Sequence, residues 1–247
     1  MALTNHPAGS LFNTDGLRCL YHLEDVQDSS GNGYTLTAAG WKPRVGPDPA
    51  TIVSGGVYGK CGNIVRSTSN QCFHRPDRVG IEGGAITIAA WAQFSGTAAE
   101  GSLYTIAAQH DDTVSYVSYR LKYAKTGGST YLKGSRVRNQ IESVDLWAAA
   151  TLPSGTWHHV VYTYDTVNQW LYIDGQLIGG PMATSGNGQT IFNDVIIIGM
   201  VDDNLLGADC WNGKIDEVLV FNRAWSTQEV YNYYHRYSSA LHSGIDF

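Results

Sequence analysis

Hydrophobic and polar residues alternate along most of this 247-residue chain, in short segments separated by glycine, asparagine, aspartate or proline. Such alternation is typical of β-strands with one buried face, and regularly spaced turn residues indicate a sandwich or barrel. The predicted strands are residues 16–23, 34–38, 62–66, 85–94, 103–109, 115–123, 141–149, 157–164, 169–173, 176–179, 194–199 and 214–221. We find no internal repeat or linker, so the sequence predicts one all-β domain at residues 16–247, after an N-terminal arm at residues 1–15.

One segment near the C-terminus has helical periodicity instead. In "STQEVYNYYHRY", Ser226 and Glu229 have the spacing of a capping box, in which each side chain accepts a hydrogen bond from the other residue's backbone N–H. The residues that then share one helical face are Val230, Tyr233, Tyr234 and Tyr237. The sequence therefore predicts one main helix over residues 226–237.

Two adjacent histidines stand in the stretch "TWHHVVYTYDTVNQWLYIDGQL", residues 156–177. Neighbouring residues of a strand point to opposite faces of the sheet, so His158 and His159 cannot both bind one metal ion. Asp174 and Gly175 lie between two apolar runs, a pattern typical of a tight hairpin turn. The stretch is therefore interpreted as architecture, with His159 packed and hydrogen-bonded.

Charge and hydropathy narrow the classes of partner. The formal net charge is −6, whereas binding to nucleic acid depends on clustered Lys and Arg. The short basic cluster "KGSRVR", residues 133–138, is interpreted as a solvated turn. No apolar run approaches the roughly 18 residues of a membrane helix, and the N-terminus has no signal-peptide pattern. We expect neither nucleic-acid binding nor membrane insertion.

The four cysteines are Cys19, Cys61, Cys72 and Cys210, and none has the CxxC spacing of a zinc site. The pattern favours four buried thiols. A Cys61–Cys72 or a Cys19–Cys210 disulfide is the alternative.

Several segments together resemble a known family. They occur in the order "GLRCLYHLEDVQDSSGNGYTLT", "ITIAAWAQF", "TWHHVVYTYDTVNQWLYIDGQLIG", "IIIGM" and "WNGKIDEVLVFNRAWSTQEV". Over residues 16–235 the chain resembles the laminin-G-like jelly-roll domain of the concanavalin A-like lectin/glucanase superfamily. The resemblance implies a concanavalin A-like jelly-roll sandwich of two antiparallel sheets, with the first and last strands adjacent and a short C-terminal helix. Residues 40–60 and 70–80 depart from the family pattern.

The loop "DSSGNG", residues 28–33, is the candidate for a bound ion. Calcium takes about six to eight oxygen ligands, which an Asp- and Asn-containing turn can supply. The resemblance implies a structural calcium held by Asp28, by a carbonyl near Asn32, and by Asp216 on the last strand. An Asx-turn without an ion is the alternative.

Three pairs of neighbouring acids are candidates for catalysis: Asp111-Asp112, Asp202-Asp203 and Asp216-Glu217. Cleavage of a glycosidic bond needs two carboxylates roughly 5–10 Å apart on either side of that bond. The pair in "GKIDEVLV" lies in a strand and would face opposite sides, and this segment lacks two glutamates of the E-x-D-x-x-E strand of the glucanase relatives. With no GxSxG, HExxH or phosphate-binding motif either, the sequence predicts a protein that is not an enzyme.

The alternation also predicts a candidate sugar site. Trp147 and Asp145 share the outer face of one predicted strand, and Arg120 and Tyr116 share the outer face of another. If both faces belong to one sheet, the tryptophan can stack on a sugar ring while the polar groups bind its hydroxyls. Residues 201–209, "VDDNLLGAD", form a second polar candidate at the rim.

These patterns favour a non-catalytic, lectin-like carbohydrate-binding module, which on a phage particle would bind host-surface glycans. The alternative is a structural or decoration protein of a virion that acts through protein–protein contacts, since an exposed aromatic face serves either role. In both cases we expect a location on a virion or extracellular surface, reached without a secretory signal peptide. The expected partners are a glycan or cell-surface polysaccharide and other virion or surface proteins.

Overall fold

The computed structural model describes residues 13–38, 50–66, 71–75, 79–81, 84–111, 117–138, 142–184, 194–201 and 209–243. The strands are β1 Leu17–Tyr21, β2 Thr51–Ser54, β3 Lys60–Ile64, β4 Phe73–His74, β5 Ile86–Phe94, β6 Leu103–Asp111, β7 Val117–Thr126, β8 Ser129–Arg138, β9 Glu142–Ala149, β10 Trp157–Tyr164, β11 Asn168–Ile173, β12 Gln176–Ala183, β13 Asp194–Ile198 and β14 Gly213–Phe221. One helix, α1 Thr227–Ser243, follows them.

The strands form two antiparallel sheets. The eight-stranded sheet has the order β12-β11-β10-β5-β14-β3-β2, with β1 also paired to β14, and the six-stranded sheet has the order β4-β13-β6-β7-β8-β9. Leu20 of β1 lies opposite Leu219 of β14, so the first and last strands are adjacent. The all-β sandwich with a C-terminal helix is confirmed.

The core lies between the two sheets and is rich in aromatic side chains. Phe94 of β5 packs at 4.8 Å (between ring centroids) from Tyr104 of β6 and at 5.4 Å from Trp211. On β10, Val160 and Tyr162 point into this core, whereas Val161 packs on the other side of the sheet. The alternation that predicted β10 therefore determines which side chains are buried between the sheets.

Helix α1 covers the outer face of the eight-stranded sheet. The capping box is confirmed, because the Ser226 backbone N–H donates to Glu229 Oε2 at 2.8 Å and the Glu229 N–H donates to Ser226 Oγ at 3.3 Å. Val230 and Tyr233 are buried against the sheet. In the part of the chain that the structure describes, no helix combines the length and the apolar character needed to cross a membrane.

Strand β10 and the following hairpin have the predicted geometry, with one correction. Asp174 and Gly175 have φ angles of 48° and 77°, as a tight type I′ turn requires. His158 Nδ1 lies 2.7 Å from Asp174 Oδ2, while His159 is fully buried on the opposite face. His159 is packed as predicted, against the rings of Trp91 and Tyr233. The predicted hydrogen bond is wrong, since neither ring nitrogen has a hydrogen-bond partner among the described residues.

The interpretation of residues 133–138 as a solvated turn is wrong. They form the second half of β8, where Lys133 and Arg136 are both buried. The Arg136 guanidinium lies 4.6 Å from the centroid of the Tyr164 ring, on the inner side of the sheet. Local sequence could not show this, because the ring that receives the cation belongs to the other sheet.

All four cysteines are buried and none forms a disulfide, so both disulfide alternatives are wrong. Burial raises the pKa of Cys19 to about 12 and the pKa of Cys61 to about 11. Because the thiolate is the reactive form, these residues act as small apolar side chains of the core.

Candidate functional site

The outer face of the six-stranded sheet brings together most of the residues that the sequence had singled out. Strand pairing aligns them in two neighbouring rows: Thr105, Lys122, Lys133 and Trp147 in the first, and Ala108, Arg120, Ser135 and Asp145 in the second. We call these two rows the polar face. The intervening residues of the same strands, such as Tyr119, Leu121 and Leu132, point into the core.

Trp147, Asp145 and Arg120 therefore lie on one face of one sheet, as the alternation predicted. Tyr116, the fourth residue of the candidate platform, lies outside the described residues. The neighbouring Lys122 and Lys133 were not part of the predicted site. Their alternation with Arg120 and Trp147 is visible along the strands, but the register that places them side by side is not.

Trp147 is held in a defined orientation although 40% of it is exposed. The Lys133 ammonium lies 4.6 Å from the centroid of its ring, and Tyr131 meets it edge-on at 5.7 Å and 83°. A cation over the ring and an edge-on aromatic contact are both favourable arrangements. The structure thus presents an ordered aromatic plate to solvent.

Lys133 also forms an ion pair, with 2.8 Å between its Nζ and Asp145 Oδ2. The side chain of Lys133 is largely buried, whereas about a quarter of Asp145 remains exposed (8% and 25%). Burial lowers the pKa of Lys133 against the opposing effect of Asp145, and the nearby positive charges of Arg120 and Lys122 lower it further. The ammonium thus lies between a carboxylate, an indole ring and other cations.

A second ion pair links the polar face to the predicted rim segment. Lys122 is fully buried and its Nζ contacts Asp209 Oδ2. The backbone carbonyl of Asp209 also accepts a hydrogen bond from Thr105 N–H at 2.9 Å. The last residue of the segment 201–209 therefore adjoins the first row, while residues 202–208 lie outside the described ranges.

The residues predicted to hold calcium are bound to other groups. Both Asp28 oxygens are occupied: Oδ1 accepts the N–H groups of Leu20 and Ser30 at 3.0 and 2.9 Å, and Oδ2 accepts Tyr34 N–H at 3.0 Å. The Asn32 side-chain amide donates to backbone carbonyls of β1. This is the hydrogen-bonding pattern of the Asx-turn alternative.

Asp216 is fully buried at a β-bulge of β14, where Glu217 has a φ of 49°. Its oxygens accept Val57 N–H at 2.7 Å and Glu217 N–H at 2.8 Å. Burial, together with the charge of Glu217, raises the pKa of Asp216 to about 9. Strict alternation along the strand was the reason for placing Asp216 and Glu217 on opposite faces of the sheet. The bulge interrupts that alternation.

Glu217 is paired with a histidine, its Oε1 lying 2.7 Å from His22 Nδ1. Among the described residues, no group of three or more His, Cys, Asp or Glu side chains could hold a metal ion. The carboxylate oxygens of Asp28 and Asp216 are engaged by backbone N–H groups. Calcium binding at Asp28, Asn32 and Asp216 stays a prediction.

Residues 67–231 match the model of a family described as the concanavalin A-like lectin/glucanases superfamily. The match covers more than half of the chain. The chain belongs to this superfamily. Its jelly-roll sandwich is the fold that the sequence resemblance implied, and the polar face lies on one of its two sheets. No curated protein sequence matches the chain.

Solved structures of similar fold come from bacterial toxins and from an arabinanase. The binding domain of Paraclostridial Mosquitocidal Protein 1 is 17% identical, with a TM-score of 0.69 over 91% of this chain and 53% of that one. Domain 4 of AbnA, a GH43 extracellular arabinanase from Geobacillus stearothermophilus solved with arabinotriose, is 17% identical, with a TM-score of 0.61 over 87% and 97%. The binding domain of botulinum neurotoxin DC, solved with SialylT, is 12% identical, with a TM-score of 0.66 over 91% and 52%. The protein spans about half the length of the toxin binding domains that it matches.

Proposed function

We propose that the protein is a non-catalytic, lectin-like module that binds a saccharide on the polar face. The observation that carries this proposal is Trp147, an ordered and 40% exposed ring with Lys133 and Asp145 beside it. An aromatic plate of this kind presents apolar area to the C–H groups of a sugar ring and loses little freedom on contact.

The polar groups around the ring complement a sugar's hydroxyls. Asp145 accepts hydrogen bonds, while Lys133 and Arg120 donate them. Charge-assisted hydrogen bonds of this type are stronger than neutral ones and have defined directions. Together with the stacked ring, they would fix the orientation of the bound saccharide.

The arrangement supports binding rather than catalysis. The two described carboxylates of this region, Asp145 and Asp209, are each engaged by a lysine. An ion-paired carboxylate suits the orientation of a hydroxyl better than the transfer of a proton. The fold relatives are consistent with this proposal, since domain 4 of the arabinanase was solved with arabinotriose and the botulinum neurotoxin DC binding domain with SialylT.

We further propose that the glycan belongs to a cell surface and that the chain acts on a virion, such as a phage particle, or in the extracellular space. A module without catalysis needs a larger assembly to use the contact it makes. The exposed Trp147 would also suit a protein partner, so a structural or decoration protein of a virion is the competing function.

A glycan array on wild type and two variants tests the proposal. Trp147→Ala should weaken binding of the best glycan at least tenfold, about 1.4 kcal/mol. Tyr231→Ala removes an aromatic ring of similar exposure (43%) from helix α1, on the other side of the sandwich, and should leave binding unchanged. Silence of wild type across the array, together with assembly that depends on Trp147, would instead support the decoration protein.

A further inference from the structure

We propose that Lys122 and Asp209 are the precursor of an intramolecular isopeptide bond, an amide that joins Lys122 Nζ to Asp209 Cγ. The bond would cross-link strand β7 to the last residue of the segment 201–209. This inference does not depend on the proposed binding of a saccharide. The features that carry it are the contact between the two side chains, their burial, and a neighbouring hydroxyl group without a hydrogen-bond partner.

The two reacting groups are already in contact in the folded protein. Lys122 Nζ contacts Asp209 Oδ2, and the backbone carbonyl of Asp209 accepts a hydrogen bond from Thr105 N–H at 2.9 Å. Thr105 in turn lies directly opposite Lys122 in the pairing of β6 with β7. An amine and a carboxyl group held together in this way react as parts of one molecule, and effective molarities for well-oriented groups reach about 10⁵–10⁸ M.

Burial favours the condensation of this pair. The side chain of Lys122 is fully buried and that of Asp209 is 10% exposed. Because desolvation penalises both charges, transfer of a proton from the ammonium to the carboxylate costs less here than in water, and it leaves a neutral amine and a carboxylic acid. Exclusion of water also protects the amide from hydrolysis once it has formed.

The reaction is a dehydration and needs no oxidant or other reagent. After the proton has moved to Asp209 Oδ2, the lone pair of Lys122 Nζ attacks Asp209 Cγ, and the carbonyl π electrons move onto Oδ1. The nitrogen then loses a proton to Oδ2, the Cγ–Oδ2 bond breaks, the carbonyl re-forms, and one water molecule leaves. An amide and water thus replace an ammonium and a carboxylate.

Thr105 supplies a hydrogen-bond donor for the oxygen that becomes negative during the attack. Its side chain is fully buried, and its Oγ1 has no hydrogen-bond partner among the described residues. Through strand pairing and its backbone hydrogen bond, Thr105 adjoins both Lys122 and Asp209. A buried hydroxyl that is unpaired before the reaction can donate to the developing oxyanion, and loss of one such donor typically slows a reaction by about a hundredfold or more.

The other lysine–aspartate pair of the polar face is a comparison within the same sheet. Lys133 Nζ lies 2.8 Å from Asp145 Oδ2, but a quarter of the Asp145 side chain is exposed. Water stabilises the charge of that carboxylate, so the pair should remain ionic. We therefore expect one cross-link per chain.

Measurement of the intact mass tests this inference. After several weeks of incubation the protein should be lighter than its sequence by the mass of one water molecule, and tandem mass spectrometry should identify a branched peptide that joins Lys122 to Asp209. The cross-linked chain should migrate faster in denaturing electrophoresis, because residues 122–209 are then closed into a loop. We expect a slow reaction, since both groups must first become neutral, so that freshly folded protein still holds the ion pair.

Matched variants assign the chemistry to these residues. Lys122→Arg keeps the positive charge but cannot form the amide, and it should retain the full mass of its sequence. Lys133→Arg alters the more exposed pair and should still lose one water molecule. Thr105→Val has nearly the same shape as wild type and should form the bond roughly tenfold more slowly or worse, whereas Thr105→Ser should restore most of the rate.

Two outcomes would overturn the proposal. The first is a wild-type protein that keeps the full mass of its sequence throughout the incubation. The second is a loss of water that persists in Lys122→Arg, because the water would then come from another reaction, such as succinimide formation at Asp174-Gly175.

Discussion

The two outer faces of this sandwich differ in the side chains that they carry and in how these are packed. On the eight-stranded sheet, helix α1 closes the face with an aromatic layer in which His159 lies between Trp91 and Tyr233. On the six-stranded sheet, the polar face carries lysines, an arginine and carboxylates around the exposed Trp147.

The comparison shows that surroundings, rather than residue type, separate the structural tryptophans from the candidate binding one. Trp91 is 2% exposed and Trp147 is 40% exposed, although each lies on an outer face of a sheet. The first packs near a histidine whose pKa burial lowers to about 3, so that ring stays neutral. The second packs on a charged ammonium. The closed face can stabilise the domain, whereas on the polar face the exposed ring of Trp147 can bind.

The largest effect should come from comparing the removal of the buried Trp91 with the removal of the exposed Trp147. Trp91→Ala should lower the free energy of unfolding by about 3–5 kcal/mol, because it leaves a cavity under helix α1. Trp147→Ala should lower it by less than about 1 kcal/mol, because much of its ring is already in water. Urea denaturation of both variants measures the difference. Equal losses would mean that the polar face is as much a part of the packed structure as the closed one.

The next effect concerns the buried cation of the polar face. Asp209→Ala should destabilise the fold by about 3 kcal/mol, because it leaves the fully buried Lys122 without its carboxylate. The double variant Lys122→Met with Asp209→Ala should recover most of this loss, since it removes both charges. Denaturation of the single and double variants gives the coupling energy. If the single variant costs nothing, Lys122 has enough other contacts to remain charged.

Local patterns predicted those elements whose contacts are close in sequence. The capping box of Ser226 and Glu229 and the turn at Asp174 and Gly175 depend on neighbouring residues, and both have the predicted geometry. Helix α1 continues to Ser243, six residues past the predicted end at 237. The periodicity within the segment did not show how far the helix continues.

Features that depend on distant partners could not be read from the sequence. Strands β2, β4 and β8 were not predicted, while the predicted strand 34–38 contains only a single bridge from Thr37 to His74. Lys133 of β8 forms its ion pair with Asp145, which lies on β9. The bulge at Glu217 depends on how β14 shares its edge between β1 and β3. Alternation correctly placed Trp147, Asp145 and Arg120 on one face, but it gave neither the burial of the lysines nor their ion pairs.

A smaller effect should appear when acid is used to probe the closed face. The pKa of His159 lies near 3 in the folded protein because burial disfavours the imidazolium, against an ordinary value of 6.5. The unfolded chain takes up a proton below pH 6.5 while the folded one does not, so stability is full above that pH and falls as pH decreases toward 3. The slope contributed by His159 approaches about 1.4 kcal/mol per pH unit. His159→Phe should flatten the curve between pH 6.5 and 4.5, as measured by urea denaturation.

The variant must be compared with wild type at each pH, since other groups titrate in the same range. His22 contributes to the pH dependence of stability with the opposite sign. Burial lowers its pKa, but the hydrogen bond and charge of Glu217 outweigh burial, and the pKa is raised. A curve for His159→Phe that is parallel to wild type would show that His159 is protonated without loss of packing, and the closed face would then tolerate charge.

The smallest expected effect is that of removing calcium. Asp28 already accepts three backbone N–H groups, from Leu20, Ser30 and Tyr34, and Asp216 is buried among backbone donors of its own. We therefore expect EGTA to leave the melting temperature unchanged. Calcium at a hundredfold excess over Kd would stabilise the folded state by about 2.7 kcal/mol, which corresponds to roughly 5–10 °C in a domain of this size, so even partial occupancy is measurable.

Asp28→Ala separates the two interpretations of the loop. If the carboxylate only orders the turn, the variant loses about 1–2 kcal/mol with or without EGTA. If it holds calcium, EGTA destabilises wild type and has no further effect on Asp28→Ala or Asp216→Ala.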